Sequence, residues 1–256
     1  MVPFFKIQEY PKLAIVIPAF KKTFLKDALT SIAEQTNQEF KVYIGDDASP
    51  ENLEEICAPF ANQISLTYIK FDENIGSTSL VEHWARCIEM ANEPWIWLFC
   101  DDDRMDSDCV DLFYTALKTT KEKFNLYRFN TSVINANNTI IKQRSNHPVV
   151  ETGLSFAYYR LAGVRESYVT EYIFRKSTFD ENSGFISFPA AWCSDDATWI
   201  TLAGDKGIFT IEGPVVYWRK SRENIGGHNL FFKKEKLKAA VFFLDWFFAK
   251  YERQIK

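Results

Sequence analysis

Apolar blocks and helix-like segments alternate along the first half of the chain. Residues 13–17, 40–44, 65–71 and 95–100 are short, mostly apolar runs. Each run is too short for a helix of ordinary length. A continuous apolar run is typical of a parallel strand that is covered on both faces of its sheet. We therefore interpret these runs as four buried strands.

The segments between these strands carry helix signals. Residues 24–35 repeat apolar side chains at helical spacing. Ser49 followed by Pro50 is typical of an N-cap with a first-turn proline. Ser79 and Glu82 form a capping-box pattern before a third apolar stripe. The resulting order of strands and helices predicts an α/β fold, with a mostly parallel sheet and helices on both faces.

The second half of the chain is less regular, and we expect a smaller, irregular region there. Its candidate elements are a strand at 126–130, a polar hairpin or loop at 133–148, strands at 208–211 and 215–218, and a helix at 230–251.

The last helix has a broad apolar surface. Phe242, Phe243 and Trp246 widen a stripe that we expect to pack on the core, and lysines precede it. Three interpretations stay open: a wide core-facing helix, contact with an anionic membrane surface, or a homodimer contact. The stripe consists of Leu237, Ala240, Val241, Leu244, Phe247 and Tyr251, and the lysines are Lys233, Lys234, Lys236 and Lys238.

Composition narrows the classes of protein. The net charge is −4 and there is no basic tract, which argues against a nucleic-acid partner. Five scattered cysteines without a CxxC pair favour reduced thiols and a cytoplasmic protein. No apolar run is long enough to span a membrane, and residues 1–10 lack the apolar core of a signal peptide.

Two common nucleotide-binding motifs are absent. The first strand is followed by residues 18–22, Pro-Ala-Phe-Lys-Lys, instead of GxGxxG. No GxxxxGK[ST] occurs in the chain. The sequence therefore has neither the dinucleotide fingerprint nor the P-loop.

Two acidic groups follow predicted strands. Asp46 and Asp47 end the second strand, and Asp101, Asp102 and Asp103 end the fourth. The carboxyl ends of parallel strands meet at one edge of the sheet, where ligands bind in open α/β folds. Adjacent carboxylates repel one another, so we expect a divalent cation between them. The alternative for either group is an acidic turn that caps the next helix.

At this point the sequence resembles the GT-A glycosyltransferases of family two. The resemblance rests on four landmarks in order, at residues 13–18, 44–49, 74–76 and 98–103. It implies a GT-A domain at 1–228, with a nucleotide-sugar half at about 12–115 and an acceptor half at about 116–228. Residues 229–256 would then form a C-terminal amphipathic helix.

The resemblance also implies a nucleotide-diphosphate-sugar donor with uridine as the favoured base, inversion at the anomeric carbon and a Mn2+ or Mg2+ cofactor. Asp103 is the first choice as metal ligand, with Asp101 and His228 as further ligands. The Arg-Asn pair usual after Gly76 in the family is missing here, and Arg86 stands further on. The implied nucleotide-sugar contacts are Pro18, Asp46, Asp47, Asn74, Gly76, Asp101, Asp102, Arg219 and Arg222.

Inverting transfer also needs a base that takes the proton of the acceptor hydroxyl. The segment around Asp195 and Asp196 resembles the Glu-Asp motif of the family at the start of a helix. Asp196 is our first candidate and Asp195 the second. The alternative is that Ser194 or Asp195 only caps the helix.

The sequence thus predicts a metal-dependent inverting glycosyltransferase that acts on a glycan or lipid-linked acceptor. We expect it in the cytoplasm, with a possible peripheral position at the inner face of the membrane. One alternative is a non-catalytic module that binds nucleotide-sugars on the same fold. A nucleotidyltransferase is disfavoured, because residues 18–22 contain no glycine.

Overall fold

The computed structural model describes residues 11–221 and 233–255, with no side chains described after residue 252. The strands are β1 (Leu13–Ala19), β2 (Phe40–Asp46), β3 (Leu66–Lys70), β4 (Trp95–Leu98), β5 (Arg104–Met105), β6 (Leu126–Ile134), β7 (Ile140–Gln143), β8 (Val150–Glu151), β9 (Tyr172–Arg175) and β10 (Ile208–Arg219). The helices are α1 (Leu25–Ala33), α2 (Leu53–Cys57), α3 (Leu80–Ile88), α4 (Cys109–Thr120), α5 (Gly153–Leu161), α6 (Lys176–Glu181), α7 (Ser194–Ala203) and α8 (Lys233–Ile255).

All the strands belong to one sheet, ordered β3-β2-β1-β4-β9-β6-β10-β5, with β7 beside β6 and β8 beside β10. The four strands of the first half pair in parallel, as predicted. In the second half only β6 and β10 are parallel, and β9 joins the halves by antiparallel pairing with β4 and β6. The predicted α/β class is confirmed, and the antiparallel pairings lie in the region expected to be irregular.

The sheet has an apolar core on each face. Leu13, Ile15 and Ile17 of β1 point into a core formed with α1, α2 and α4. Ala14 and Val16 point into a second core, to which α3 and α5–α8 contribute. Because side chains alternate between the faces of a strand, a continuous apolar run supplies both cores at once. This explains why the first four strands were recognisable from their sequence.

The chain reverses its direction of growth between β1 and β4. From β1 the sheet extends through β2 to β3, and the chain then returns to the other side of β1 as β4. Such a reversal opens a crevice at the carboxyl ends of the two central strands. We call the edge formed by the carboxyl ends of β1, β2 and β4 the rim.

Some predicted element boundaries were wrong. Helix α2 begins after Asn52, whose side chain accepts a hydrogen bond from the Glu55 amide, so Ser49 is not its cap. The two strands predicted at 208–211 and 215–218 are one strand, β10, with a change of register between Ile211 and Val215. The polar segment after Val133 does form a hairpin, because β7 pairs antiparallel with the end of β6.

Helix α8 packs on the core through a stripe that coincides only in part with the predicted one, since Phe247 and Tyr251 belong to both. Ala239, Phe243, Phe247 and Tyr251 are buried. Three members of the predicted stripe face solvent instead, with exposed fractions of 69% for Leu237, 47% for Val241 and 37% for Leu244, and Phe248, 54% exposed, continues this face. No helix within 11–221 or 233–255 is long and apolar enough to cross a membrane.

Candidate active site

The loop after β1 joins the two acidic groups at the rim. The backbone amide of Phe20 donates to Asp101 Oδ2 at 3.0 Å, and its carbonyl accepts from Ser49 Oγ at 2.6 Å. The Ser49 amide in turn donates to Asp46 Oδ1 at 2.7 Å. The acidic groups after β2 and β4 therefore lie on either side of one short loop, as the parallel topology required.

The carboxylate of Asp46 accepts its hydrogen bonds from inside the protein. It is fully buried. Besides the Ser49 amide at Oδ1, it accepts the Tyr68 hydroxyl at Oδ2 with a distance of 2.5 Å. Burial raises the pKa of Tyr68, so this hydroxyl keeps its proton and remains a donor. Asp46 thereby ties the ends of β2 and β3 together.

Asp47 holds the loop that precedes α3. Its two oxygens accept from the backbone amides of Ile75 at 3.0 Å and Gly76 at 2.9 Å. A Cβ on Gly76 would lie 2.4 Å from Asp47 Oδ2, so only glycine lets the loop come this close. Asn74 begins the same turn and accepts from the Ser77 amide at 3.0 Å.

Arg86 reaches this site from the last turn of α3. Its Nη2 pairs with Asp47 Oδ1 and also donates to the Glu73 carbonyl at 3.0 Å. Its guanidinium lies 3.9 Å from the centroid of the Phe71 ring. The sequence left an arginine at the nucleotide side in doubt because the usual spacing was missing. Helix α3 brings Arg86 back to the side of this loop, where it pairs with Asp47.

The imidazole of His83 is a buried neighbour of this pair. Its Nδ1 lies 3.5 Å from Asp47 Oδ1 and accepts from Arg86 Nε at 3.1 Å. Burial lowers the pKa of His83 to about 4, so the ring is neutral near pH 7. His83 completes the packing around Asp47.

The structure separates Asp101 from the rest of the aspartate triplet. Asp101 Oδ2 accepts from the amides of Phe20 and Lys21 at 3.0 and 3.3 Å, so its carboxylate faces the β1 loop. Ligand atoms of Cys100, Asp102 and Asp103 converge instead and lie within 4.8 Å of one another. The residues that meet are therefore not the Asp101–Asp103 pair expected from the sequence.

The cluster of Cys100, Asp102 and Asp103 is an environment in which a negative charge is costly without a cation. Asp103 is fully buried, and Oδ1 accepts the Arg219 amide at 2.7 Å. Oδ2 has no hydrogen bond of ordinary geometry among the residues that the structure describes, and only the Cys100 thiol and the Thr170 side chain interact with this carboxyl group more loosely. Burial raises the pKa of Asp102 to about 7, and the charge of Asp101 adds to this shift. Burial also raises the pKa of Asp103 well above its usual value.

These features fit a hard divalent cation. A buried carboxylate oxygen without a partner is costly unless a proton or a cation neutralises it. Burial raises the pKa of the Cys100 thiol well above its usual value, so it stays protonated and is a poor ligand. The remaining donors are the oxygens of Asp102 and Asp103, which suit Mn2+ or Mg2+ better than a thiolate-binding metal.

Arg219 holds the acidic cluster in place from the interior of the protein. Its side chain is fully buried and donates through Nε to the Asp102 carbonyl at 2.6 Å. It also donates to the Asn135 carbonyl at 3.0 Å and pairs with Asp27 at 3.3 Å. A guanidinium buried in this way is not available to a diphosphate, which corrects the expected phosphate contact.

Asp195 and Asp196 begin α7, as predicted, but they differ in environment. Asp196 is buried and forms a two-pronged pair with Arg160, at 2.9 Å to Nε and 2.5 Å to Nη2. Asp195 stays partly exposed. Burial raises the pKa of Asp195 to about 7, and the adjacent charge of Asp196 adds to this while Arg160 opposes it.

Neither Ser194 nor Asp195 caps this helix. The N-cap is Cys193, in a left-handed conformation, and no side chain caps the first turn. The hydroxyl of Ser194 accepts the Phe188 amide at 2.8 Å instead. Capping therefore does not explain the acidic pair.

Three predicted site residues remain, and the structure describes one of them. Pro18 lies near the end of β1, opposite Gly45 of β2. Arg222 and His228 lie outside the described residues. Cys100, Arg160 and His83 also shape the site, although none of them was among the predicted site residues. The aspartates that His83 and Arg160 contact, Asp47 and Asp196, are each 36 positions away, and the position of Cys100 depends on how the strand end turns, so no local pattern marks these residues.

Comparison with known proteins identifies the fold and the family. The profile described as glycosyl transferase family 2 matches residues 14–197. The structure of residues 1–349 of TarS from S. aureus in complex with UDP-GlcNAc superposes with a TM-score of 0.66 at 16% identity, over 86% of this chain and 62% of that one. The UDP complex of the same protein gives 0.61 at 15% identity, over 82% and 61%.

A mannosyltransferase from Pyrobaculum calidifontis, PcManGT, in complex with GDP-Man and Mn2+, gives a TM-score of 0.58 at 14% identity, over 85% of this chain and 59% of that one. The chain thus spans about three fifths of the length of the solved structures it matches. At these identities the superpositions show the GT-A type of fold. Because the family profile covers well over half of the sequence, the chain belongs to glycosyl transferase family 2.

Proposed function

We propose that the protein is a metal-dependent inverting glycosyltransferase that moves a sugar from a nucleotide-diphosphate-sugar, with UDP favoured, to a hydroxyl of a glycan or lipid-linked acceptor. The observation that carries this proposal is the unpartnered Oδ2 of Asp103, buried beside Asp102 at the rim. A nucleotide-binding fold with such an excess of charge at its crevice is suited to a cation and a diphosphate.

Donor binding is assigned to the loops around β1, β2 and α3. Pro18, Asp46 and Asp47 line the path of the nucleoside in this proposal, and Asn74 and Gly76 form the turn beside it. Since both carboxylates are buried and already accept protein donors, they act by fixing these loops beside the nucleoside.

The metal is assigned to Asp102 and Asp103. Asp102 is the more accessible of the two and becomes the first choice, with Asp103 behind it. Asp102 thus takes the metal-binding role that the sequence suggested for Asp101. Asp101 instead orders the loop after β1. When bound, the cation stabilises the negative charge that develops on the departing diphosphate.

The base is assigned to Asp195, with Asp196 now the second choice. Both carboxylate oxygens of Asp196 accept hydrogen bonds from Arg160. Asp195 is partly exposed instead, and its pKa is about 7. A base with a pKa near the working pH is half ionised there and accepts a proton with little loss of driving force. In the proposed step, Asp195 takes the acceptor proton as that oxygen forms its bond to the anomeric carbon and the bond to the diphosphate breaks.

A thermal-shift and turnover assay tests the proposed function. Nucleotide-sugars are screened with Mn2+ and with chelator, and release of the nucleoside diphosphate is measured in the same samples. The proposal expects stabilisation by one class of nucleotide-sugar in the presence of metal, together with release. Binding without hydrolysis or transfer to any acceptor would favour the non-catalytic module instead.

We also infer that the exposed stripe of α8 rests on an anionic membrane surface. Leu237, Val241, Leu244 and Phe248 follow one another at helical spacing, so they form one face. Lys233 and Lys234 are exposed at the start of the helix, beside Lys236 and Lys238. Apolar residues flanked by lysines match the interface of a bilayer that contains anionic lipids.

Sedimentation with vesicles tests this membrane contact. Vesicles with phosphatidylglycerol should bind the protein, vesicles of phosphatidylcholine alone should bind it less, and Phe248→Gln should weaken binding. Ile141→Gln, which changes an exposed apolar residue of β7, is the matched control. A dimer in solution that Phe248→Gln converts to a monomer would assign the stripe to a second copy of the chain.

A further inference from the structure

An aromatic pair at the acceptor side is not used by the mechanism above. The rings of Tyr168 and Trp218 are stacked, with centroids 4.3 Å apart and planes 12° from parallel. Both side chains are partly exposed. Stacked rings at a protein surface present a flat, apolar face of large area to a ligand.

Trp218 stands next to the residue that supports the acidic cluster. The amide of Arg219 donates to Asp103, and its side chain reaches Asp27 of α1. Consecutive side chains leave a strand on opposite sides. Trp218 therefore points away from α1, towards Tyr168, while its backbone stays beside Asp103.

Tyr168 connects this position with the proposed base. The segment after it passes the end of β4, where Trp97 Nε1 donates to the Thr170 carbonyl at 2.8 Å. Burial raises the pKa of Tyr168, and the charges that act on it include Arg160 and Asp103. Arg160 pairs with Asp196 at the start of α7, so Tyr168 is near enough to the acidic cluster and to this ion pair to respond to the charges of both.

Arg144 fixes the orientation of the pair. Its Nη2 donates to the Tyr168 hydroxyl, and its guanidinium carbon lies 4.8 Å from the centroid of the Tyr168 ring. The same guanidinium pairs with Glu166. A ring held in this way loses little conformational entropy when a ligand stacks on the pair.

We propose that Trp218, backed by Tyr168, is the stacking platform for the sugar ring of a saccharide acceptor. This inference rests on the proposed function, since it assigns the acceptor of the same site. A pyranose with equatorial hydroxyls presents a face of C–H groups, which suits the electron-rich face of an aromatic ring. Its hydroxyls remain at the edge of the ring, where one of them can face Asp195.

Saturation-transfer NMR on the full chain tests the platform directly. The probe is methyl β-D-glucopyranoside, the open-chain polyol sorbitol is the control ligand, and UDP with Mn2+ is present throughout. Saturation should reach the ring C–H protons of the glucoside and not sorbitol. Loss of one stacking contact should lower the signal roughly three- to tenfold in Trp218→Ala, while Trp218→Phe retains most of it.

The controls separate this inference from the proposed function. Tyr158→Ala removes an exposed aromatic ring of α5 and should leave the signal unchanged. Stabilisation by UDP and Mn2+ should persist in every variant. If Trp218→Ala does not fold, Trp218→Leu replaces it, because leucine keeps apolar volume without an aromatic face.

Two results would overturn the platform. One is a glucoside signal that is absent from the wild type, or unchanged in Trp218→Ala, while UDP still binds. The other is a loss of UDP binding in Trp218→Leu together with the glucoside signal, which would make the ring a structural part of the donor site. Failure of UDP to bind the wild type would count against the proposed function alone, if the glucoside signal still depends on Trp218.

Discussion

The acidic groups after β2 and after β4 lie at the same edge of one sheet, yet the protein satisfies the hydrogen bonding of their carboxylates to different degrees. Asp46 and Asp47 accept backbone amides, the Tyr68 hydroxyl and the Arg86 guanidinium. Asp103 keeps one buried oxygen without a partner, beside Asp102. The first pair thus holds loops in place, whereas Asp102 and Asp103 form the cluster to which we assign the metal.

Asp195 is also assigned to the reaction and not to holding a loop. Loss of its carboxylate should therefore have the largest effect on transfer. Asp195→Asn keeps the shape of the side chain but removes the base, so transfer should fall by about 10²- to 10⁴-fold. Binding of the donor should persist, because the residue lies on α7 and outside the donor loops. Steady-state transfer and donor binding measured on the same protein check this.

Asp180→Asn is the matched control for that variant, since it changes an aspartate of α6 that pairs only with Lys176 at the surface. Unchanged transfer in Asp195→Asn would move the base to Asp196 or elsewhere.

The pH dependence of transfer should reflect the pKa of Asp195 near 7. The ionised form accepts the proton, so kcat should fall about tenfold per pH unit below that value and level off above it. Asp196→Asn removes a charge that raises this pKa and frees Arg160, which lowers it. The acidic limb of the kcat profile, where kcat falls, should therefore move to lower pH in Asp196→Asn. A limb that stays in place would show that another group titrates.

Gly76→Ala should have a smaller effect that is confined to the loop held by Asp47. The added Cβ would lie 2.4 Å from Asp47 Oδ2, so the loop must shift. We expect a loss of stability of about 1–3 kcal/mol, as for other overpacked sites, with weaker donor binding and an unchanged requirement for metal. Chemical denaturation and UDP titration measure the two effects.

Ser77→Ala, one residue further along the same turn, adds no atom and should leave both quantities near the wild-type values. An equal effect in both variants would mean that the contact with Asp47 does not set the position of the loop.

Sequence patterns were sufficient for the first half of the fold. Buried parallel strands such as β1 have continuous apolar runs, and the Ser79 cap of α3 accepts the Glu82 amide as its local pattern predicted. In the second half the alternation with helices ends, and β9 is recognisable only from its antiparallel partners. The sequence carries no record of such long-range pairing.

The site was predictable as a location and less so as a set of roles. Strand ends place aspartates at the rim whatever their rotamers, so Asp46, Asp47 and the triplet were found. Which member of the triplet faces the cation depends on hydrogen bonds to the β1 loop, and these took Asp101 out of the cluster. The partner that occupies Asp196 is Arg160, 36 positions away, and no local motif connects the two.

Calorimetric titration of UDP tests the central claim most directly, when it is run with Mn2+ and with chelator on the wild type and on Asp102→Asn. Asp72→Asn, an exposed aspartate of the donor half, is the control. We predict that chelation weakens UDP binding of the wild type and of the control by about 10- to 100-fold, and that Asp102→Asn binds at the weaker level in both conditions. Binding of equal strength with and without metal, or full metal dependence in Asp102→Asn, would contradict the account.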